Sequence, residues 1–263
     1  MKFDYASDLH VDFHRTSQIN WEEEVNSKKL IIAGDTANSP EVAYMEICKA
    51  SQVYDRVIVV SGNHEYYSGR ARRVHEIART FQRLVEDIPN VTLLTTGRIW
   101  ASIGHDTGIF GCNGWYDWAP YQDLTRERNF RNWKAELNDS RQIQFDIFPD
   151  KMAEIESMEL EASLDEAVSC FGINKAIVVT HTLPLMVLAA KPPYPYYYLN
   201  PSYVNTLMGE IVKKWNHVIK VWVHGHSHFP CDVTFNGIRF LRNPRGYPNE
   251  NRDWKIESFE IEE

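Results

Sequence analysis

The chain has 263 residues, 43% hydrophobic and 24% charged, a balance that supports a globular core and excludes a disordered or fibrous protein. Its net charge of −8 argues against a generic polyanion binder, because nonspecific nucleic-acid affinity rests on Lys and Arg, yet it leaves room for a phosphorylated substrate met by bound metal. Four scattered cysteines (Cys48, Cys112, Cys170, Cys231) form no C-x-x-C pair, which excludes zinc-finger and thioredoxin readings and fits a reducing cytosol better than a disulfide scaffold.

"MKFDYASDLH" places Asp4 and Asp8 where an export signal needs an apolar core, and no apolar run is long enough to span a bilayer. A cytoplasmic protein with no membrane association is therefore expected. In chain order, "KFDYAS", "KLIIAG", "DRVIVVSG", "TGIFGC", "KAIVVT" and "KVWVHG" read as strands, several of them apolar on both faces as in buried central strands. Between them, Val74, Ile77, Ala78, Phe81, Leu84 and Val85 share one helical face over 71–86. A weaker pattern over 151–171 (Met152, Ile155, Leu164, Val168) stops at Gly172, a suitable C′ glycine. "CDVTF", "NGIRFLRN" and "DWKIESFEI" read as closing strands, with a hairpin at Asn236-Gly237. This order predicts one mixed α/β domain over 1–263, with insertion-like loops at about 113–150 and 191–201.

Chemistry-bearing residues follow the strands. Asp8 and His10 come after the first, Asp35 after "KLIIAG", Asn63, His64 and Glu65 after "VIVVSG", His181 after "KAIVVT", and His226 and His228 after "KVWVHG". The carboxyl edge of an open α/β sheet is where ligands bind. Each piece alone is weak, since a single His near a strand is usually a satisfied core residue and Gly-Asp is usually a turn. Together, five strand ends deliver oxygen and imidazole donors without a thiolate, a set that suits Mn²⁺ first, then Fe, Zn²⁺ or Ni²⁺.

The series D-x-H, G-D, G-N-H-[ED], H and G-H-x-H resembles the calcineurin-like metallophosphoesterases, with every element present between residues 8 and 228. "GNHEYY" and "RNPRGYPNEN" are similar to a bacterial and phage-like branch of that family. The resemblance implies a four-layer α/β/β/α sandwich with mixed sheets and two divalent metal ions. By position it implies Asp8, His10 and His228 at one metal, Asn63, His181 and His226 at the other, and Asp35 bridging both. His64 matches the family's general acid, with a hydrogen-bonding partner of a ligand as its other reading. His224 matches no ligand position and is expected to be structural.

Protein phosphatases of this superfamily carry G-D-x-x-D-R-G, whereas this chain reads "GDTANSP", with Asn38 in place of the second Asp and no Arg. A phosphoprotein substrate is therefore not expected. Small phosphate esters are, with a phosphodiester ahead of a monoester; a non-catalytic scaffold would have shed ligands, and all seven are in place. Expected substrate contacts are Asn38, Tyr66, Tyr67, Trp115, Asn243 and Arg245, together with the Tyr194–Tyr198 aromatics. The basic run "TRERNFRNWK" (125–134) reads as a solvated helix face, with a substrate-phosphate clamp as the alternative.

Overall fold

The computed structural model describes residues 1–14, 16–191 and 193–262. Eleven strands are described: β1 Lys2–Ala6, β2 Lys29–Ala33, β3 Arg56–Val60, β4 Val91–Leu94, β5 Trp100–Ser102, β6 Thr107–Cys112, β7 Lys175–Thr180, β8 Ile219–Val223, β9 Cys231–Phe235, β10 Ile238–Arg242 and β11 Glu257–Glu260. They form two sheets, ordered β11-β1-β2-β3-β4 and β5-β6-β7-β8-β10-β9. β1 to β4 run parallel with β11 antiparallel at the edge, and β6, β7, β8 and β10 run parallel between antiparallel β5 and β9.

The two-residue alternation of each strand builds the layers. Ile31, Ala33, Ile58 and Val60 of the first sheet meet Ile109, Ile177, Val179, Val221 and Val223 of the second in the central core. The alternate residues Leu30, Ile32, Val57 and Val59 face outward against Ala43, Ile47 and Ala50 of helix Pro40–Ser51 and Phe81 and Val85 of helix Val74–Glu86. On the other side, Phe110, Val178, Trp222 and Phe240 pack on Leu160 and Leu164 of helix Pro149–Phe171 and on Ile211 and Trp215 of helix Met208–Trp215. Four layers result, α/β/β/α, as the family resemblance implied. With both faces covered, fully burying each aliphatic side chain contributes about 1.5–3 kcal/mol.

Helix Pro149–Phe171 ends on left-handed Gly172, and the β9–β10 turn places Asn236 and Gly237 at φ 53° and 82°, the signs a type I′ hairpin needs. Two expected loops are more ordered than read. The 113–150 stretch contains helices Arg126–Glu136 and Asp139–Gln142, which hold Trp133 and Ile143 in a separate cluster with Tyr66, Ile77, Trp115, Tyr116 and Trp118. Weak periodicity hid these helices, because charged residues dominate "RERNFRNWKAE". In the 191–201 stretch a 3₁₀ segment runs from Tyr197 to Ser202, and Pro192 lies outside the described residues. Among the described residues no helix is long and apolar enough to cross a membrane.

Candidate metal centre

The carboxyl ends of β1, β2, β3, β7 and β8 converge, and the chain leaves β1, β2 and β8 through left-handed residues. Asp8, His10, Asp35 and His226 have φ of 50°, 44°, 54° and 66°. Left-handed backbone at a non-glycine residue costs on the order of 1–3 kcal/mol and gathers where function over-determines geometry. The turns are stapled by Glu65, a fully buried carboxylate that accepts from the N–H groups of Gly62 (2.6 Å), Thr36 (2.6 Å) and Asp35 (3.1 Å). Gly34 carries the closest approach. Its φ is +81°, and a Cβ there would stand 2.5 Å from His181 Nδ1 and 2.7 Å from the Gly62 nitrogen. Gly34→Ala is expected to lower stability by about 2–5 kcal/mol, from left-handed strain plus overpacking. Denaturant midpoints measure this, and a loss below about 1 kcal/mol would contradict the packing described.

Donor atoms meet in three overlapping groups, Asp8–His10–His228, His10–Asp35–His64 and Asp35–His181–His226, each within 4.8 Å. Asp35 Oδ2 lies 3.3 Å from His181 Nε2, 3.8 Å from His64 Nε2 and 3.9 Å from His10 Nε2. Asp8 Oδ1 lies 3.6 Å from His228 Nε2, and Asn63 Oδ1 lies 3.0 Å from His181 Nε2.

Partners behind the site fix which atom each residue presents. His181 Nδ1 donates to the Ala33 carbonyl at 2.9 Å and His228 Nδ1 to Glu250 at 2.5 Å, so both turn Nε2 inward. His226 Nε2 donates to the Ser202 carbonyl at 3.2 Å, leaving Nδ1 free. Asn63 Nδ2 donates to Asp139 Oδ1 at 2.8 Å, which faces the amide oxygen inward because a carboxylate only accepts. The same Asp139, fully buried, accepts from Tyr67 (2.6 Å) and Tyr116 (2.7 Å), so the 113–150 segment braces the centre.

The site as built fits cations. His10 Nδ1 is buried without a partner among the described residues, while its Nε2 faces His228 Nε2 at 3.1 Å, so two imidazole donor atoms point at one another across the centre. Burial, then His64, holds His10 well below the usual imidazole range; burial and then His181 hold His226 down at about 3, so both are neutral donors at pH 7. Burial would raise Asp35, but the imidazoles of His181, His64 and His10 outweigh it and keep the carboxyl well below its ordinary range. Burial raises Asp8, although His228 and His181 oppose it. His181 goes up to about 9 despite burial, because Asp35 and Asp8 crowd it. Protons held by crowded carboxylates and imidazoles are the ones a cation displaces.

His64 stands at the mouth. Its Nδ1 donates to Asn38 Oδ1 at 2.5 Å, so Asn38, which stands where the protein phosphatases have their second Asp, fixes the ring's orientation. Its Nε2 lies 3.2 Å from the Tyr247 hydroxyl, and its ring stacks on Tyr67 with centroids 4.2 Å apart. Asn38 and Tyr67 thus lie where substrate contacts were expected, at the cleft.

Four other expected contacts lie elsewhere. Tyr66 is 5% exposed, with its hydroxyl on Ser61, and Trp115 is 1% exposed against Tyr66 and Phe145; both are core under the 113–150 segment. Asn243 Nδ2 donates to the Tyr5 and Lys255 carbonyls and ties strand ends together. Arg245 turns away to the backbone and hydroxyl of Ser17 and lies over the Trp254 ring. The segment reaches the site through a different residue. Arg245 and Gly246 bond by their N–H groups to the Ser7 and Asp8 carbonyls, which delivers Tyr247 onto His10, stacked at 4.6 Å. Burial raises the Tyr247 hydroxyl far above its ordinary range, so it is a neutral donor. Tyr247 and Asp139 were not singled out by sequence; Glu65 was, as part of "GNHE", though not for its role as a brace. His224 is fully buried beneath the cleft and, as expected, joins none of the three groups. The basic run forms helix Arg126–Glu136, where Arg126 pairs with Asp150 away from the centre.

Residues 1–230 match the family model described as calcineurin-like phosphoesterase. Uncharacterized protein L509 of Acanthamoeba polyphaga mimivirus is 24% identical over 275 residues, covering 95% of this chain and 92% of the viral protein. Among solved structures, phosphopantetheinyl hydrolase from Mycobacterium tuberculosis superposes with a TM-score of 0.81 at 18% identity, over 99% of this chain and 96% of that one. That likeness is one of fold. With the family's motifs standing at five converging strand ends, the chain belongs to the calcineurin-like phosphoesterases.

Proposed function

We propose that the protein is a dinuclear metal-dependent phosphodiesterase acting on a small ester. The observation that carries this reading is the convergence of Asp8, His10, Asp35, Asn63, His181, His226 and His228, from five strands, into overlapping groups around one shared carboxylate. Asp8, His10 and His228 would hold one cation, Asn63, His181 and His226 the other, with Asp35 between them; Mn²⁺ suits this oxygen and imidazole set best. When bound, the two cations supply Lewis-acid charge for the phosphoryl oxygens and activate water at neutral pH.

The chain's own residues do the rest. His64, aimed by Asn38, holds a proton at Nε2 for the departing alkoxide. The Tyr247 hydroxyl, beside that nitrogen, donates to a phosphoryl oxygen. Tyr67 and Asp139 keep the Asn63 amide from turning. The cytoplasm is the compartment we propose, on the scattered cysteines of the sequence.

A diester is favoured because the cation that grips a terminal phosphate is missing. "GDTANSP" supplies no Arg, and Arg245 faces Ser17. A monoester dianion brings one more negative charge, and among the described residues no lysine or arginine lines the cavity to meet it. Thymidine 5′-(p-nitrophenyl phosphate) is expected to exceed p-nitrophenyl phosphate in kcat/KM by about tenfold or more under one metal condition. A phosphopantetheinyl ester, named for the structural relative, belongs in the same assay. A preference for the monoester would reverse the assignment.

A further inference from the structure

The cavity beside the centre measures about 610 Å³, and its walls differ in character. One wall is aromatic and grows outward from the site histidines. Tyr203 packs on His226 with centroids 4.5 Å apart, and Phe229 follows His228 in the chain. Tyr194 meets Phe229 at 5.4 Å and Tyr196 at 5.8 Å. Tyr196 is 52% and Phe229 50% exposed, so these rings serve as contact surface rather than core.

The charge on the lining has one sign. Asp35, Glu136, Asp139 and Glu250 contribute carboxylates, and among the described residues no lysine or arginine lines the cavity. Glu136 stands exposed, held by the Tyr198 hydroxyl at 2.7 Å. The nearest basic run is turned elsewhere, with Arg126 and Arg131 lining a separate depression.

We propose that the second substituent of the diester is an uncharged or cationic group with an apolar or aromatic face. It lies on Tyr194, Tyr196, Tyr203 and Phe229, and a substituent carrying a further phosphate is rejected. The inference rests on the phosphodiesterase reading of the same centre. Aromatic faces bind any flat or cationic group by stacking or cation–π contact. A second phosphate beyond the metal centre would instead face Glu136 and Glu250, with no lysine or arginine among the described lining residues. Nucleic-acid chains and nucleoside polyphosphates are thereby excluded as substrates.

The test compares thymidine 5′-(p-nitrophenyl phosphate) with its 3′-phosphorylated form, in turnover by the intact chain and in calorimetric binding to the His64→Ala chain. The added phosphate is expected to lower both kcat/KM and affinity by at least about tenfold, since like charges are set against each other across the cleft. Glu136→Lys should shrink that ratio to about threefold, with Glu136→Gln between them. Equal or better use of the 3′-phosphorylated ester would overturn the inference while leaving the phosphodiesterase reading intact. If neither ester is turned over with any metal, that reading fails, and binding alone decides the inference. Tenfold tighter binding of the simpler ester supports it; equal binding or none overturns it. Undiminished discrimination in both Glu136 variants would overturn the role given to the rim.

Discussion

Asp35→Asn is expected to abolish turnover and to leave the chain unable to retain its metals. The substitution is nearly isosteric, and Asp35 Oδ1 already accepts from the His64 backbone N–H at 2.8 Å, a bond the amide oxygen can keep. What disappears is a charge that lies within 4 Å of three imidazole nitrogens and, in the proposed assignment, between two cations. At an effective dielectric near 20, a unit charge about 4 Å from another contributes about 4 kcal/mol, or about a thousandfold in affinity, and each divalent ion doubles that energy. Metal analysis after gel filtration should therefore show less than one ion per chain. Wild-type metal content with wild-type turnover would contradict the bridging role.

His64→Ala is expected to keep the metals and lose rate by about 10²–10⁴-fold, the usual contribution of a positioned acid. The loss should depend on the leaving group. p-Nitrophenolate departs with little help, whereas an alkoxide needs a proton, which the proposed acid would supply. The same variant should therefore lose more on an alkyl ester than on a p-nitrophenyl ester. Equal losses on both would mean that His64 orients rather than protonates. Loss of bound metal would mean that it is a ligand, as its place in the group with His10 and Asp35 permits.

The core fold was legible because its determinants are local. Short β-branched runs alternate with amphipathic stretches, and the residues that bear the chemistry fall within a few positions of each strand end, so a parallel sheet brings them together. The contributions of Asp139 and Tyr247 were hidden for the opposite reason. Asp139 meets Asn63 across 76 residues and Tyr247 meets His64 across 183, and no pattern around either residue announces the partner. Aromatic residues misled in both directions. Tyr66 lies next to motif residues in sequence and Trp115 just past a strand end, yet both are buried in the cluster that the 113–150 segment builds. "RNPRGYPNEN" drew attention to Arg245 for its charge, whereas its turn aims Tyr247 into the site and Arg245 out of it.

If these side chains hold a pair of divalent cations, phosphoester hydrolysis depends on both ions. Titrating Mn²⁺ into chelator-stripped protein, while following both bound ions per chain and turnover of bis-p-nitrophenyl phosphate, tests it most directly. The stripped protein is expected to show no turnover, to bind two ions per chain at saturation, and to gain activity only as the second site fills. Full activity without metal, or saturation at a single ion with full turnover, would contradict it.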